Sequence, residues 1–180
     1  MTLFLEDQPP LPTLHLRGAT FSVNNKPCIV LTDYRGFYPT LWFALIHELF
    51  HVLFDWDEII TSCYHISDNE SEQLSVMEKE LEANDFAREY LFSKEKTTKI
   101  KSNINNISYI NSFARDNHVH PSFIYVFYAY DVGKKDSRAW GRATGNNPDI
   151  KKMLRPLANP WDNPKTILEH VKSIKSKYYK

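Results

Sequence analysis

The chain has 180 residues, 22 Lys/Arg and 22 Asp/Glu, and a formal net charge of zero. This length suits one domain or one domain with an appendage, and 42% apolar residues are enough for a core, which excludes global disorder. Cys28 and Cys63 are too few for a disulfide framework and form no Cys-x-x-Cys pair, so we expect reduced, inert thiols.

The two ends of the chain suggest where the protein acts. The N-terminal stretch MTLFLEDQPPLP carries acidic residues and prolines where a signal peptide would be basic and then apolar, and no apolar run reaches the length of a membrane span. We therefore expect a cytoplasmic protein. Residues 131–180 hold 12 Lys/Arg and 5 Asp/Glu, against 10 and 17 in residues 1–130. A solvated basic face explains this surplus more simply than nucleic-acid binding, which the basic tail nevertheless leaves open.

The first predicted elements form a hairpin. The stretch QPPLPTLHLRG reads as extended chain. Residues 19–23 and 27–32 then favour β-strands on either side of Asn24-Asn25, a turn-forming pair.

Residues 41–54, LWFALIHELFHVLF, predict a buried helix, with Thr40 as its N-cap. His47 and His51 are four residues apart and so project from one helical face, with Glu48 beside them. His-Glu-x-x-His is the pattern of a helix that binds zinc and supplies a carboxylate base. Buried imidazoles without partners would be costly, and a bound cation would satisfy them. The alternative is a pair of core histidines bonded to backbone carbonyls, with no metal.

The third ligand is expected on the next helix, over residues 72–92. The polar connection before it, residues 55–72, contains His65, which we expect to be exposed and not a ligand. Glu80 shares a small and apolar helical face with Ala83 and Ala87, whereas Glu82 lies on a charged, solvent-facing stripe. A carboxylate on the buried face favours Glu80 as the metal ligand, with a buried salt bridge or a capping contact as the alternative.

Asn84, one turn after Glu80, could orient a ligating histidine or make a purely structural hydrogen bond. A polar surface connection over 93–106 is then expected, followed by short helices over 107–117 and 121–130. His118 and His120 lie between those helices; loop or capping roles are the simpler interpretation, and binding a metal or polarising a substrate carbonyl are the alternatives.

The C-terminal part is expected to form a basic extension over 131–180, beyond a domain of residues 1–130. Trp140 and Trp161 are candidate anchoring points. A terminal amphipathic helix is predicted from Asn163-Pro164, with one apolar stripe that suits packing on the body or in a partner's groove. The stripe consists of Ile167, Leu168, Val171, Ile174 and Tyr178.

Three segments in order, FALIHELFHVLF, EKELEANDFAREYLF and INSFARDNHVHPSFI, resemble the ImmA/IrrE family of zinc metallopeptidase domains. The resemblance covers about residues 15–130. It implies an α+β, zincin-like fold of the gluzincin type, mostly helical with a small β-sheet beside the His-Glu-x-x-His helix. The family's third zinc ligand maps to Glu80, in agreement with the helical face.

Three departures from the family pattern stand out. Phe50 replaces a usual glycine, Asp55 stands where a further histidine is common, and Ser93-Lys94 replaces a proline that often closes the second helix. None of these changes removes a ligand or the base. No helix-turn-helix region, which often accompanies this branch of the family, precedes the domain.

The resemblance implies a zinc-dependent endopeptidase that cleaves a specific intracellular protein, such as a DNA-binding repressor or an antitoxin. Zn²⁺ would be held by His47, His51 and Glu80, and Glu48 would be the catalytic base. His118 and His120 are candidate oxyanion donors. The alternatives are a non-catalytic antitoxin-like or regulatory binding module that keeps the metal site, and a scaffold with structural zinc.

Overall fold

The computed structural model describes residues 17–32, 36–62, 64–66 and 74–153. These ranges form an α+β structure that is mostly helical, with a small sheet, as the sequence predicted. None of the described helices is long and apolar enough to cross a membrane. The elements are β1 Gly18–Val23, β2 Lys26–Leu31, α1 Tyr38–Phe54, α2 Trp56–Ser62, β3 Tyr64–Ile66, α3 Leu74–Phe92, α4 Lys94–Ile100, a 3-10 turn Lys101–Asn103, α5 Ile107–Asp116, α6 Pro121–Val132, α7 Ala139–Gly145 and α8 Ile150–Met153.

The sheet is antiparallel, with β1 between β2 and β3. Asn24 and Asn25 have φ angles of 52° and 58°, the left-handed conformation that a two-residue hairpin turn requires and that asparagine tolerates. The predicted hairpin is therefore confirmed. The expectation of a loop at His65 was wrong, because this residue lies in β3 and pairs with Thr20 of β1.

Helix α1 begins at Tyr38, three residues before the predicted start. Phe37 is the N-cap, and Thr40 lies inside the first turn, where its hydroxyl donates to the Phe37 carbonyl at 2.7 Å. The prediction of Thr40 as N-cap was wrong because Pro39 is tolerated in the first turn, where its missing N–H is not needed.

Two predicted connections contain helices. Residues 55–72 include α2 and β3, and residues 93–106 include α4. Ser93 starts α4 by accepting a hydrogen bond from the Lys96 N–H at 3.2 Å, and Thr97 and Ile100 are buried beneath it. Helix α4 buries only one narrow side, so most of its residues are polar, and the sequence therefore predicted a surface connection.

Helix α6 forms the centre of the helical part, with its residues 122–129 all buried. The expected boundary after residue 130 falls within this helix. Trp140 of α7 packs edge-on against Tyr130 of α6, with ring centroids 5.0 Å apart, which agrees with its anticipated anchoring role. Trp161 and the predicted terminal helix lie outside the described residues.

Candidate metal centre

Helices α1 and α3 bring together residues that the sequence separates widely. Ala83 and Ala87 of α3 are fully buried, and their small side chains let the two helices approach closely. On the same side of α3, Glu80 points at α1, whereas Glu82 is exposed. The helical face predicted from the sequence therefore corresponds to the face that packs on α1.

His47, His51 and Glu80 converge on a single point. The two imidazole Nε2 atoms are 3.2 Å apart. His47 Nε2 lies 3.2 Å from Glu80 Oε2, and His51 Nε2 lies 3.3 Å from Glu80 Oε1. His47 is 6% exposed and His51 is fully buried, so bulk water does not separate the three groups.

These separations suit a small divalent cation. Two ligands of a tetrahedral zinc ion, bound at about 2.0–2.1 Å, lie about 3.3–3.4 Å from each other. The Nε2–Nε2 separation is close to this value, and each Nε2 lies at a similar distance from a different oxygen of the Glu80 carboxylate. The three residues could therefore hold a metal ion with only small movements of their side chains.

Asp55 supports the second histidine from outside the cluster. Its Oδ2 lies 2.8 Å from His51 Nδ1, and its Oδ1 lies 3.2 Å from Lys79 Nζ of α3. A carboxylate on the far nitrogen fixes the ring and directs the lone pair of Nε2 toward a metal. From the sequence, Asp55 was notable only as a departure from a family pattern. Its position one turn after His51 on the same helical face was the signal that could have identified it.

The environment of His51 favours a positive charge nearby. Burial disfavours the charged form of its ring, but hydrogen bonds to the Glu80 and Asp55 carboxylates outweigh that effect. The pKa of His51 therefore lies above its ordinary value. Either a proton on the His51 ring or a metal cation beside it would supply the positive charge that the two carboxylates favour.

Glu48 points from α1 toward the sheet and is 1% exposed. The Thr20 hydroxyl of β1 donates to Glu48 Oε2 at 2.6 Å. Gly18 makes room for the carboxylate, because a Cβ atom at that position would lie 2.6 Å from Glu48 Oε1. Sequence reasoning identified Glu48 but missed Thr20 and Gly18, which carry no recognisable local signal.

Three other predicted site residues lie in different settings. The Asn84 side chain makes no hydrogen bond with any residue that the structure describes, so neither the contact with a histidine of the cluster nor the structural hydrogen bond is seen there. His120 caps α6 by accepting from the Ser122 N–H at 3.2 Å, and its ring lies 6.1 Å from that of Tyr38. Tyr38 is nine residues before His47, or about 14 Å along the helix. His118 is exposed, with a φ of 54° in the turn before α6. The structure therefore gives His120 a capping role and places His118 in a turn, as the simpler interpretation expected, and an oxyanion role for either stays a prediction.

Phe50 fills space between the two helices beside the cluster. Its ring centroid lies 5.5 Å from that of Phe86 on α3 and 5.7 Å from that of His51. The aromatic side chain at this position therefore adds helix-to-helix packing next to a ligating ring.

The described residues thus form a cluster of two buried histidines and one half-buried glutamate that could hold a metal ion, with the Glu48 carboxylate adjacent to it in sequence. One imidazole of the cluster is oriented by Asp55, and the neighbouring carboxylate is oriented by Thr20. Comparisons with protein-family models, with curated proteins and with solved structures found no match to this chain.

Proposed function

We propose that the chain is a zinc-dependent endopeptidase with a zincin-like, gluzincin-type site. The observation that carries this proposal is the approach of His47, His51 and Glu80: the two Nε2 atoms lie 3.2 Å apart, and each lies 3.2–3.3 Å from one oxygen of the Glu80 carboxylate. Two imidazoles and one carboxylate are a common ligand set of catalytic zinc, and three protein ligands leave a fourth position for water.

A zinc ion bound there would lower the pKa of a water molecule and polarise a peptide carbonyl. Glu48 would take the proton of the attacking water on a carboxylate oxygen and deliver it to the leaving amine nitrogen. The Thr20 hydroxyl holds that carboxylate in one orientation, so little reorganisation would be needed for proton transfer. Asp55 would keep the His51 ring in the tautomer that offers Nε2 to the metal.

The substrate class comes from the resemblance in three sequence segments. It suggests a specific intracellular protein, such as a transcriptional repressor or an antitoxin, as the partner that is cut. A site enclosed to this degree suits one selected peptide segment better than general proteolysis.

A second candidate is a non-catalytic binding module that keeps the metal site. The observation in its favour is that Glu48 is buried and hydrogen-bonded to Thr20, so its presence can be explained by packing of β1 on α1. In this case the metal would stabilise the fold, and the protein would act through a surface.

Glu48→Gln separates the two candidates, because the amide keeps the size and the hydrogen bond of the side chain but cannot accept the proton. We expect wild type and Glu48→Gln to bind one zinc equally, measured by metal analysis. We expect only wild type to cleave a candidate repressor or antitoxin from the same genome, measured by mass spectrometry of the products. If neither protein cuts while both bind that partner equally tightly, the binding module is the correct function.

A further inference from the structure

A cavity of about 410 Å³ lies beside the metal cluster. Phe43 lines it from α1 and Asn84 lines it from α3. These residues are one helical turn from His47 and from Glu80, respectively, or about 6 Å along each helix. The Phe43 and His47 rings are in contact, with centroids 6.4 Å apart. A peptide held at the cluster would therefore place a neighbouring residue at this cavity.

The cavity has an apolar floor and one buried cation. Phe43, Ala44 and Phe127 supply the apolar surface. Arg88 of α3 also lines the cavity, with its side chain only 8% exposed and its guanidinium carbon 4.4 Å from the Phe127 ring centroid. Stacking on an aromatic ring fixes the plane of a guanidinium, and its N–H groups then point outward in that plane.

One terminal nitrogen of the Arg88 guanidinium is hydrogen-bonded and the other is not. Arg88 Nη2 donates to Asp131 Oδ2 at 2.6 Å and to Thr97 Oγ1 at 2.7 Å. Arg88 Nη1 is buried and has no hydrogen-bond partner among the residues that the structure describes. Buried donors are nearly always paired, so the Arg88 guanidinium keeps hydrogen-bonding capacity that the described residues do not use.

The charge of the lining indicates what kind of acceptor fits. Of its three cations, Arg88 is paired with Asp131, and Lys94 is paired with Asp85 at 3.3 Å. Arg17 is the third cation and leaves a surplus of one positive charge in the described lining. An anionic oxygen is therefore favoured over a neutral one.

We propose that this cavity binds a carboxylate of the substrate peptide, with an apolar stem on the floor of Phe43 and Phe127 and the carboxylate against the Arg88 guanidinium. This inference rests on the proposed peptidase function, because it names a specificity-determining residue of that site. The carboxylate could come from a glutamate side chain or from the C-terminus of a peptide, and both sources present the same chemistry to the guanidinium.

The test is a binding experiment that does not depend on cleavage. Zinc-loaded Glu48→Gln protein would be titrated with acetyl-glutamate methylamide, acetyl-glutamine methylamide, acetyl-leucine methylamide and acetyl-leucine with a free carboxylate, followed by amide chemical shifts. We expect at least one carboxylate ligand to bind about tenfold more tightly than both neutral ones, as one charge-assisted hydrogen bond allows. The two carboxylate ligands distinguish a side chain from a chain terminus.

Arg88→Met in the same background should reduce that preference to within about twofold, while Arg115→Met, which changes an exposed arginine, should leave it intact. Asn84→Leu narrows the cavity without removing the guanidinium, so it should lower the affinity for all four ligands together. This variant keeps the test valid if Arg88→Met does not fold. Equal binding of charged and neutral ligands, or a preference that survives in Arg88→Met, would overturn the proposal. Absence of cleavage by wild type with carboxylate binding intact would refute the peptidase and not the cavity.

Discussion

At the scale of single residues, His51 is the candidate metal ligand whose ring is fixed by a chain of charged side chains. His51 is fully buried, with its Nδ1 on Asp55, and Asp55 is in turn paired with Lys79. Lys79 also reaches Glu58 at 2.5 Å, so the chain of charges ends at the surface. This relay connects a ring in the interior to side chains on two further helices, α2 and α3.

Asp55→Ala should weaken zinc binding by roughly 10–100-fold, because the His51 ring would lose the group that sets its tautomer and orientation. Competition with a chromogenic chelator would measure the affinity. Asp57→Ala is the matched control, since Asp57 is an exposed acidic residue in the first turn of α2. Equal affinities of both variants and wild type would show that Asp55 has no role in the metal site.

Glu80→Ala should weaken zinc binding by more than the roughly 10–100-fold expected for an outer partner, because it removes a ligand. Glu82→Ala should bind zinc like wild type, since that side chain is exposed on the same helix. Metal content after dialysis would compare the two proteins. Equal losses, or a larger loss in Glu82→Ala, would contradict the assignment of Glu80.

At the scale of elements, the sheet sets the position of Glu48. Strand β1 passes so close to α1 that Thr20 bonds the carboxylate and Gly18 lies against it. A glycine is required here by close approach rather than by backbone conformation. Strand β1 is the central strand, so its position is held by β2 on one side and by β3 on the other.

Gly18→Ala should lower the free energy of unfolding by about 1–3 kcal/mol, because the added methyl group would overlap the Glu48 carboxylate. Urea denaturation would measure the change. Gly141→Ala provides the control: no atom lies within 4 Å of its added Cβ, and alanine favours the α7 helix by up to about 1 kcal/mol. A Gly18→Ala protein as stable as wild type would mean that β1 lies farther from Glu48 than the structure shows.

At the scale of the whole molecule, the cluster is a junction between α1 and α3. A metal bound by His47, His51 and Glu80 would join these helices, which the Asp55–Lys79 ion pair already joins. Ligand binding to the folded state alone raises stability according to its concentration relative to its dissociation constant. The metal should therefore stabilise the fold as well as serve any chemistry.

Zinc at about 100 times its dissociation constant should stabilise the protein by about 2.7 kcal/mol, equivalent to an increase in Tm of roughly 5–11 °C for a chain of this size. Differential scanning fluorimetry, with zinc or with a chelator, would measure this shift. The Tm of Glu80→Ala should change little when zinc or the chelator is added. An unchanged Tm in wild type would show that zinc does not bind the folded protein at that concentration.

The amino-acid sequence by itself determined the features that depend on near neighbours. These are the Asn24-Asn25 turn, the helix that carries His47 and His51 one turn apart, and the face of the next helix that carries Glu80. Hydrophobic periodicity and turn propensity operate over a few residues, so they reveal such features directly. Short elements with weak periodicity, such as α2 and α4, were missed for the same reason.

Only the tertiary structure decided which distant groups meet. Thr20 and Glu48 are 28 residues apart in sequence, and Arg88 and Asp131 are 43 apart. No local pattern marks these partners, because their contacts arise from the packing of β1, α1, α3 and α6 around a shared core. Burial then determines their chemistry, since excluding water strengthens each charge and leaves the Arg88 guanidinium with hydrogen-bonding capacity that the described residues do not use.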